Sequence, residues 1–140
     1  MNKIQAKRFK KLIDFLEELD DEKFYFGSVV SKFETVKGKR CGSVCCAIGW
    51  TPVVFPKQVA WIEDMVRVKN YIEIIGYIDV ASYLFGMSFS DADNLFSPFG
   101  QKYLEPPVTV CGNYCTPKDF AKTMKEYLKL HHPNHYEILY

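Results

Sequence analysis

Two stretches, one near each end of the chain, repeat apolar residues every three or four positions, and each needs a partner to pack against. From residue 3 to about 20 the stripe is Ile4, Phe9, Leu12, Ile13, Leu16 and Leu19, with Phe15 at its margin. That spacing follows one face of an α-helix. The second stretch runs from Thr116 to about His131, with Phe120, Ala121, Met124, Tyr127 and Leu128 inward and Lys118, Lys122, Lys125 and Lys129 as an outer stripe. Its start is well marked: Thr116 as cap, Pro117 at the first helical position and Asp119 in the first turn. Pro133 reads as its stop.

The segments between them are shorter. Asp79 to Phe85 has helical spacing and ends at Gly86, the residue type that most readily takes a left-handed C-cap. Ser90-Asp91-Ala92-Asp93 offers a serine cap with a carboxylate three residues on, opening a short helix that carries Leu95 and Phe96. Trp61 to Val68 reads either as a hairpin turning at Glu63-Asp64 or as a short helix, and Val29 to Val36 is equally open between strand and helix. Ser97-Pro98-Phe99-Gly100 and Glu105-Pro106-Pro107 bracket a long connecting loop. Phe24, Tyr25 and Phe26 would pack the first helix onto its neighbours. The expected fold is therefore mainly α: one globular domain over residues 1–140, a compact bundle of four to five helices with a small β-hairpin near residues 59–69.

Composition narrows the function classes. Of 140 residues 48% are hydrophobic, including eleven Phe and nine Tyr, so the chain has the material for a packed core. A net charge of +1 gives no global attraction to nucleic acid or anionic membrane. The longest apolar stretch, Val44 to Phe55, is broken by Gly49, Thr51 and Pro52 and falls far short of the roughly 20 residues that cross a bilayer. The start lacks the apolar centre of a signal peptide. Together these point to a cytoplasmic protein, where five cysteines stay reduced.

The first helix carries its charges in the wrong order for its dipole, with Lys3, Lys7, Arg8, Lys10 and Lys11 ahead of Asp14, Glu17, Glu18, Asp20, Asp21 and Glu22. A basic binding patch would justify that order. The plainer reading is a solvated face, Lys10 pairing with Asp14 and Lys10 or Lys11 with Glu17 or Glu18. The Lys37-Gly38-Lys39-Arg40 loop and the lysine stripe of the last helix would serve nucleic acid only if such a surface were intended, and the weight lies against it.

The chemistry-bearing residues cluster in Cys41-Gly42-Ser43-Val44-Cys45-Cys46-Ala47-Ile48-Gly49-Trp50. Cys41 and Cys45 are four apart, as are Cys111 and Cys115, and two such pairs would make a four-thiolate zinc site. Cys45 or Cys46, in the first turn of a helix capped by Ser43, would be a thiol nucleophile, yet the histidines His131, His132 and His135 lie at the far end of the chain. Three histidines at a helix end otherwise serve its C-terminal dipole. The plain reading is favoured over both. Ser43 caps a helix start, Cys46 and Ala47 are small buried residues, and Trp50 with Val53 to Phe55 fills the core behind them.

This stretch resembles the mark of a family of small bacterial and phage proteins, Cys-Gly-Thr/Ser-x-x-Cys-Ala-x-Gly followed by Trp or His. Phe24, Phe85-Gly86-Met87-Ser88 and Leu95-Phe96 match its looser anchors. The resemblance implies no established activity. It makes Cys41 and Cys46 the family-type cysteines and Cys45, Cys111 and Cys115 additions, which weighs against a shared zinc site. The expectation is thus a cytoplasmic, non-enzymatic, phage- or mobile-element-encoded protein that needs no cofactor. It would dock on a host or phage protein through exposed aromatics, with Trp61, Phe99, Tyr103, Tyr136 and Tyr140 as candidates. A thiol-dependent enzyme or a zinc-stabilised module stands as the alternative.

Overall fold

The structure, a computed structural model, describes residues 1–26, 46–62, 65–70 and 76–140. It is mainly helical with one small antiparallel sheet, as the periodicities predict. Cys41, Gly42, Ser43, Cys45, the Lys37 to Arg40 loop, the 29–36 segment and the Glu63-Asp64 turn lie outside the described residues.

Helix α1 (Lys3–Glu18) is opened by Asn2, whose side chain accepts from the Gln5 N–H at 2.9 Å while the Gln5 side chain accepts from the Asn2 N–H at 2.7 Å. This reciprocal box satisfies two backbone donors that the helix start leaves free. Ala6, Phe9, Leu12, Ile13 and Leu16 are buried on one face, but Ile4 is 64% exposed. At 3.6 residues per turn Ile4 stands about 140° around the helix from Phe9, and Ala6 takes the first inward position instead. The expected Lys10–Asp14 pair forms at 2.8 Å. Glu17 pairs not within α1 but with Lys125 of the last long helix, at 3.3 Å.

After a short 3-10 turn (Asp21–Lys23), Phe24 and Phe26 turn into the core, as expected of them. The chain is next described from Cys46, where a 3-10 turn (Ile48–Trp50) leads into the four-residue α2 (Thr51–Val54). Cys46, Ala47, Ile48, Trp50, Val54 and Phe55 are all buried, and the Trp50 indole N–H donates to the Lys23 carbonyl at 3.0 Å. Val53 departs from the expectation: it is 48% exposed, on the outer side of α2. Strands β1 (Val59–Ile62) and β2 (Met65–Val68) pair antiparallel, Val59 with Val68 and Trp61 with Val66, so the hairpin reading holds over the helical one. Val59, Val66 and Val68 face the core on one side of this pleat.

Helix α3 (Tyr77–Phe85) ends as predicted at Gly86, whose φ of 64° is left-handed. Helix α4 (Phe89–Phe96) begins two residues earlier than Ser90 suggests. Ser88 is the cap and its hydroxyl accepts from the Asp91 N–H at 3.1 Å. Ser88→Ala should therefore cost about 1 kcal/mol in chemical denaturation, whereas Ser90→Ala should stay within about 0.5 kcal/mol; the reverse order would move the helix start to Ser90.

Helix α5 (Pro117–His131) has its full predicted start, with Thr116 and Asp119 forming a reciprocal box. Its predicted inward residues are all buried, and it packs along α1, which also touches α2, α3 and α6. Pro133 does end α5, but it also begins α6 (Pro133–Leu139), because the first helical position needs no N–H. The described residues thus hold six α-helices where four to five were expected; α2 and α6 are the short ones.

The histidines sit at the α5–α6 corner. His131 Nε2 lies 2.8 Å from the Pro106 carbonyl and His135 Nε2 lies 2.9 Å from that of Met1, and the His131 ring stacks on Tyr127 at 4.3 Å. His132 is pushed down to about 4 by burial first, then by the charged amino terminus, His131 and His135, with Asp91 pulling the other way. The unfolded chain therefore takes up this proton before the folded one does. Stability should fall as pH drops from about 6.5 towards about 4. His132→Asn should flatten that part of the Tm-against-pH curve, and an unchanged curve would assign the acid loss to other groups.

Candidate functional site

The loop between α4 and α5 carries an unusual share of exposed apolar surface, and a single buried amide organises it. Gln101, in the 3-10 turn Gly100–Tyr103, is fully buried. Its Nε2 donates to the carbonyls of Leu95 at 2.7 Å and Ser97 at 2.9 Å, and its Oε1 accepts from the Cys111 N–H at 2.9 Å. The Phe99 N–H donates to the Cys111 carbonyl at 2.8 Å. Both ends of the loop are thereby tied to the last turn of α4.

This lacing forces an uncommon backbone at Phe99, whose φ is 62°. A bulky side chain there costs on the order of 1 kcal/mol or more, so the surrounding contacts must overdetermine it. Gly100 lies flat against α4, where a Cβ would meet the Asn94 carbonyl. The Phe99 ring, 52% exposed, is laid over Gly112, where a Cβ would stand 2.9 Å from its Cζ. Along the same loop Tyr103 is 68% and Tyr114 89% exposed, and Val110 is also exposed. The Tyr114 ring lies 6.0 Å from that of Tyr25.

The other proposed anchors differ. Trp61 is half-buried on the inner side of β1 and packs against the core, its indole N–H buried without a partner. Tyr136 and Tyr140 stack on each other at 5.2 Å and are covered by lysines of their own chain. Lys10 and Lys125 stand 5.1 and 4.7 Å from the Tyr140 ring and Lys129 5.8 Å from that of Tyr136. Those cation–π contacts already use the ring faces a partner would seek. Phe99 and Tyr114 are the more available surface; Tyr103, although 68% exposed, has Lys102 Nζ 5.1 Å from its own ring. Val110 and Tyr114 were not singled out from sequence, since nothing in a Pro- and Gly-rich loop marks which apolar residues turn outward.

Cysteine chemistry moves with the same loop. Cys46, one of the two sequence candidates for a nucleophile beside Cys45, is buried, and desolvation pushes its thiol up to about 11, the reverse of an activated thiolate. Cys111 is 3% exposed and Cys115, four residues on, is half-buried. The Cys115 N–H donates to the Gly112 carbonyl at 3.3 Å, closing the turn between them. Cys111 Sγ is also 3.3 Å from the Thr123 hydroxyl, which reaches the Thr109 carbonyl at 3.1 Å. Cys111 is drawn down to about 7 by the Cys115 thiol first, burial opposing and Thr123 assisting; Cys115 is pushed up by the Cys111 thiol first and then by burial.

Among the described residues no group of three or more His, Cys, Asp and Glu side chains is placed to hold a metal ion. Of the zinc candidates, Cys111 and Cys115 are together, while Cys41 and Cys45 lie outside the described residues. Two shallow hollows are lined by charged side chains. One holds Glu17, Glu18, Lys118, Lys122 and Lys125; the other, about 270 Å³, holds Lys7, Arg8, Lys11 and Phe55 with Ile4 and Gln58. No helix among the described residues is long and apolar enough to cross a membrane. Compared with protein-family models, curated proteins and solved structures, the chain matches none.

Proposed function

We propose that this chain works by binding another protein, through the loop that joins α4 to α5. The observation that carries the reading is Phe99: an aromatic ring held at positive φ, half in solvent, on a loop laced from beneath by Gln101. Aromatic side chains on a pre-ordered backbone are good interface anchors, because little further entropy is lost when they are covered. Tyr103 and Tyr114 extend the same surface. The resemblance to bacterial and phage proteins directs the search for a partner to a bacterium or its phage.

Capture from such a lysate should be run with the wild-type chain beside the Phe99→Ser, Tyr114→Ser double variant. A partner held by the wild type should be lost, or bound at least about tenfold more weakly, by the variant. Equal capture by both chains would move the interface elsewhere, and a chain that shifts nucleic acid but enriches no protein would end the reading.

A further inference from the structure

We propose that the outer face of α1 is a second docking surface, and that its occupant is an acidic peptide segment of a partner protein. Ile4, Lys7, Arg8 and Lys11 follow the spacing that puts side chains on one face of a helix. With Phe55, at the end of α2, and Gln58, just before β1, they line the hollow of about 270 Å³. Phe55 is 4% exposed and forms its floor, while Ile4, 64% exposed, stands at its edge. Two of the three cations are held in place. Arg8 is half-buried, donates to the Leu84 carbonyl at 3.4 Å and lies 5.8 Å from the centre of the Tyr83 ring. Lys11 Nζ stands 5.7 Å from that of Phe55. A guanidinium fixed by one donor keeps the rest of its fork for a carboxylate.

The free helix gains nothing from this charge order. Lys3, Lys7 and Lys11 repeat every four residues, so like charges stand one turn apart in the half of α1 whose dipole disfavours cations. The ion pairs among the described residues take Lys10, Lys23 and Lys125, and none takes Lys7, Arg8 or Lys11. Cations that weaken the helix and lack an internal counter-charge fit an anion from outside. The surroundings favour a peptide over nucleic acid. Asp14 and Glu18, both exposed, follow Lys11 on the same side of α1 and end the positive run, so a phosphate backbone tracking the helix would meet carboxylates. Ile4 and Phe55 offer apolar contact that such a backbone does not use. A segment with carboxylates flanking an aliphatic side chain uses both kinds of group. The surface shares no residue with the α4–α5 loop, and the proposal stands apart from the role of that loop.

The test is an NMR titration of the full isotope-labelled chain with a short Glu/Leu peptide, its Gln/Leu counterpart and a thymidine oligomer of equal length. The Glu/Leu peptide should give saturable shifts centred on Ile4, Lys7, Arg8, Lys11 and Gln58, and should bind more weakly as salt is raised. Lys7→Glu should weaken that binding at least about fivefold. Its Tm should equal or exceed that of the wild type, because Lys7 is exposed and a glutamate there faces Lys3 and Lys11 one turn away. No saturable shift at this face, equal shifts with the Gln/Leu peptide, or tighter binding of the thymidine oligomer would each overturn the proposal. So would a lowered Tm in Lys7→Glu, since the charge order would then serve the fold. The wild-type titrations decide the matter whatever the variant does.

Discussion

Phe120→Ala should destabilise the chain by about 3–5 kcal/mol, the range for deleting a large buried aromatic side chain. Phe120 is fully buried on the inward face of α5. Its ring lies 4.5 Å from that of Phe26, 6.2 Å from Phe24 and 5.7 Å from Phe96. It therefore joins three parts of the chain, the segment after α1, the end of α4 and α5 itself. Removing it takes away apolar burial and leaves a hollow that rigid helix backbones cannot close. For a chain of this length the loss corresponds to a fall in Tm on the order of 10 °C. Ile4→Ala is the matching control: a residue of the same predicted stripe class, but exposed, should change stability by less than about 0.5 kcal/mol. Denaturant midpoints with unchanged slopes would measure both. A Phe120→Ala effect below about 1 kcal/mol would mean that α5 does not seat on the aromatic cluster as described.

That contrast also shows which parts of the fold were legible in the sequence. Helices α1 and α5 were, because a stripe at helical spacing has one physical solution and Thr116-Pro117 marks a start without competition. Errors arose where two residues satisfied the same rule. Ser88 and Ser90 are each followed three residues later by an aspartate, and only the backbone decides between them. Ile4 and Ala6 both flank the stripe, and apolar size favoured the wrong one. Pro133 obeys two rules at once, closing one helix and opening the next. The loop was read as a connection carrying exposed aromatics, without any order of its own. Its order comes from contacts between residues distant in sequence, Gln101 to Cys111 and Phe99 over Gly112, and no local spacing encodes them. The same holds for the thiol pair, whose four-residue spacing fits a metal ligand set or a turn equally well until Thr123 and Gln101 are seen around it.

Gln101→Leu should cost about 2–4 kcal/mol although it keeps nearly the same volume. Three backbone groups, the carbonyls of Leu95 and Ser97 and the N–H of Cys111, lose the partner that Gln101 supplies. Each buried polar group left unmatched costs about 1–3 kcal/mol, and water reaching the Ser97 side, which is only partly buried, would offset some of it. Gln101→Glu separates hydrogen bonding from packing. An ionised carboxylate still accepts from the Cys111 N–H, but it faces two carbonyl oxygens with no proton to offer. Burial and those oxygens would raise its folded pKa above the ordinary value of about 4.3. The Glu variant should accordingly be less stable than wild type at neutral pH and should recover as pH falls through that raised value, because the protonated acid regains a donor. Tm should therefore rise on mild acidification in Gln101→Glu relative to Gln101→Leu. If the two variants tracked each other across that range, the amide would be filling space, and the order of the Phe99 loop and of Cys111 beneath it would have to come from packing alone.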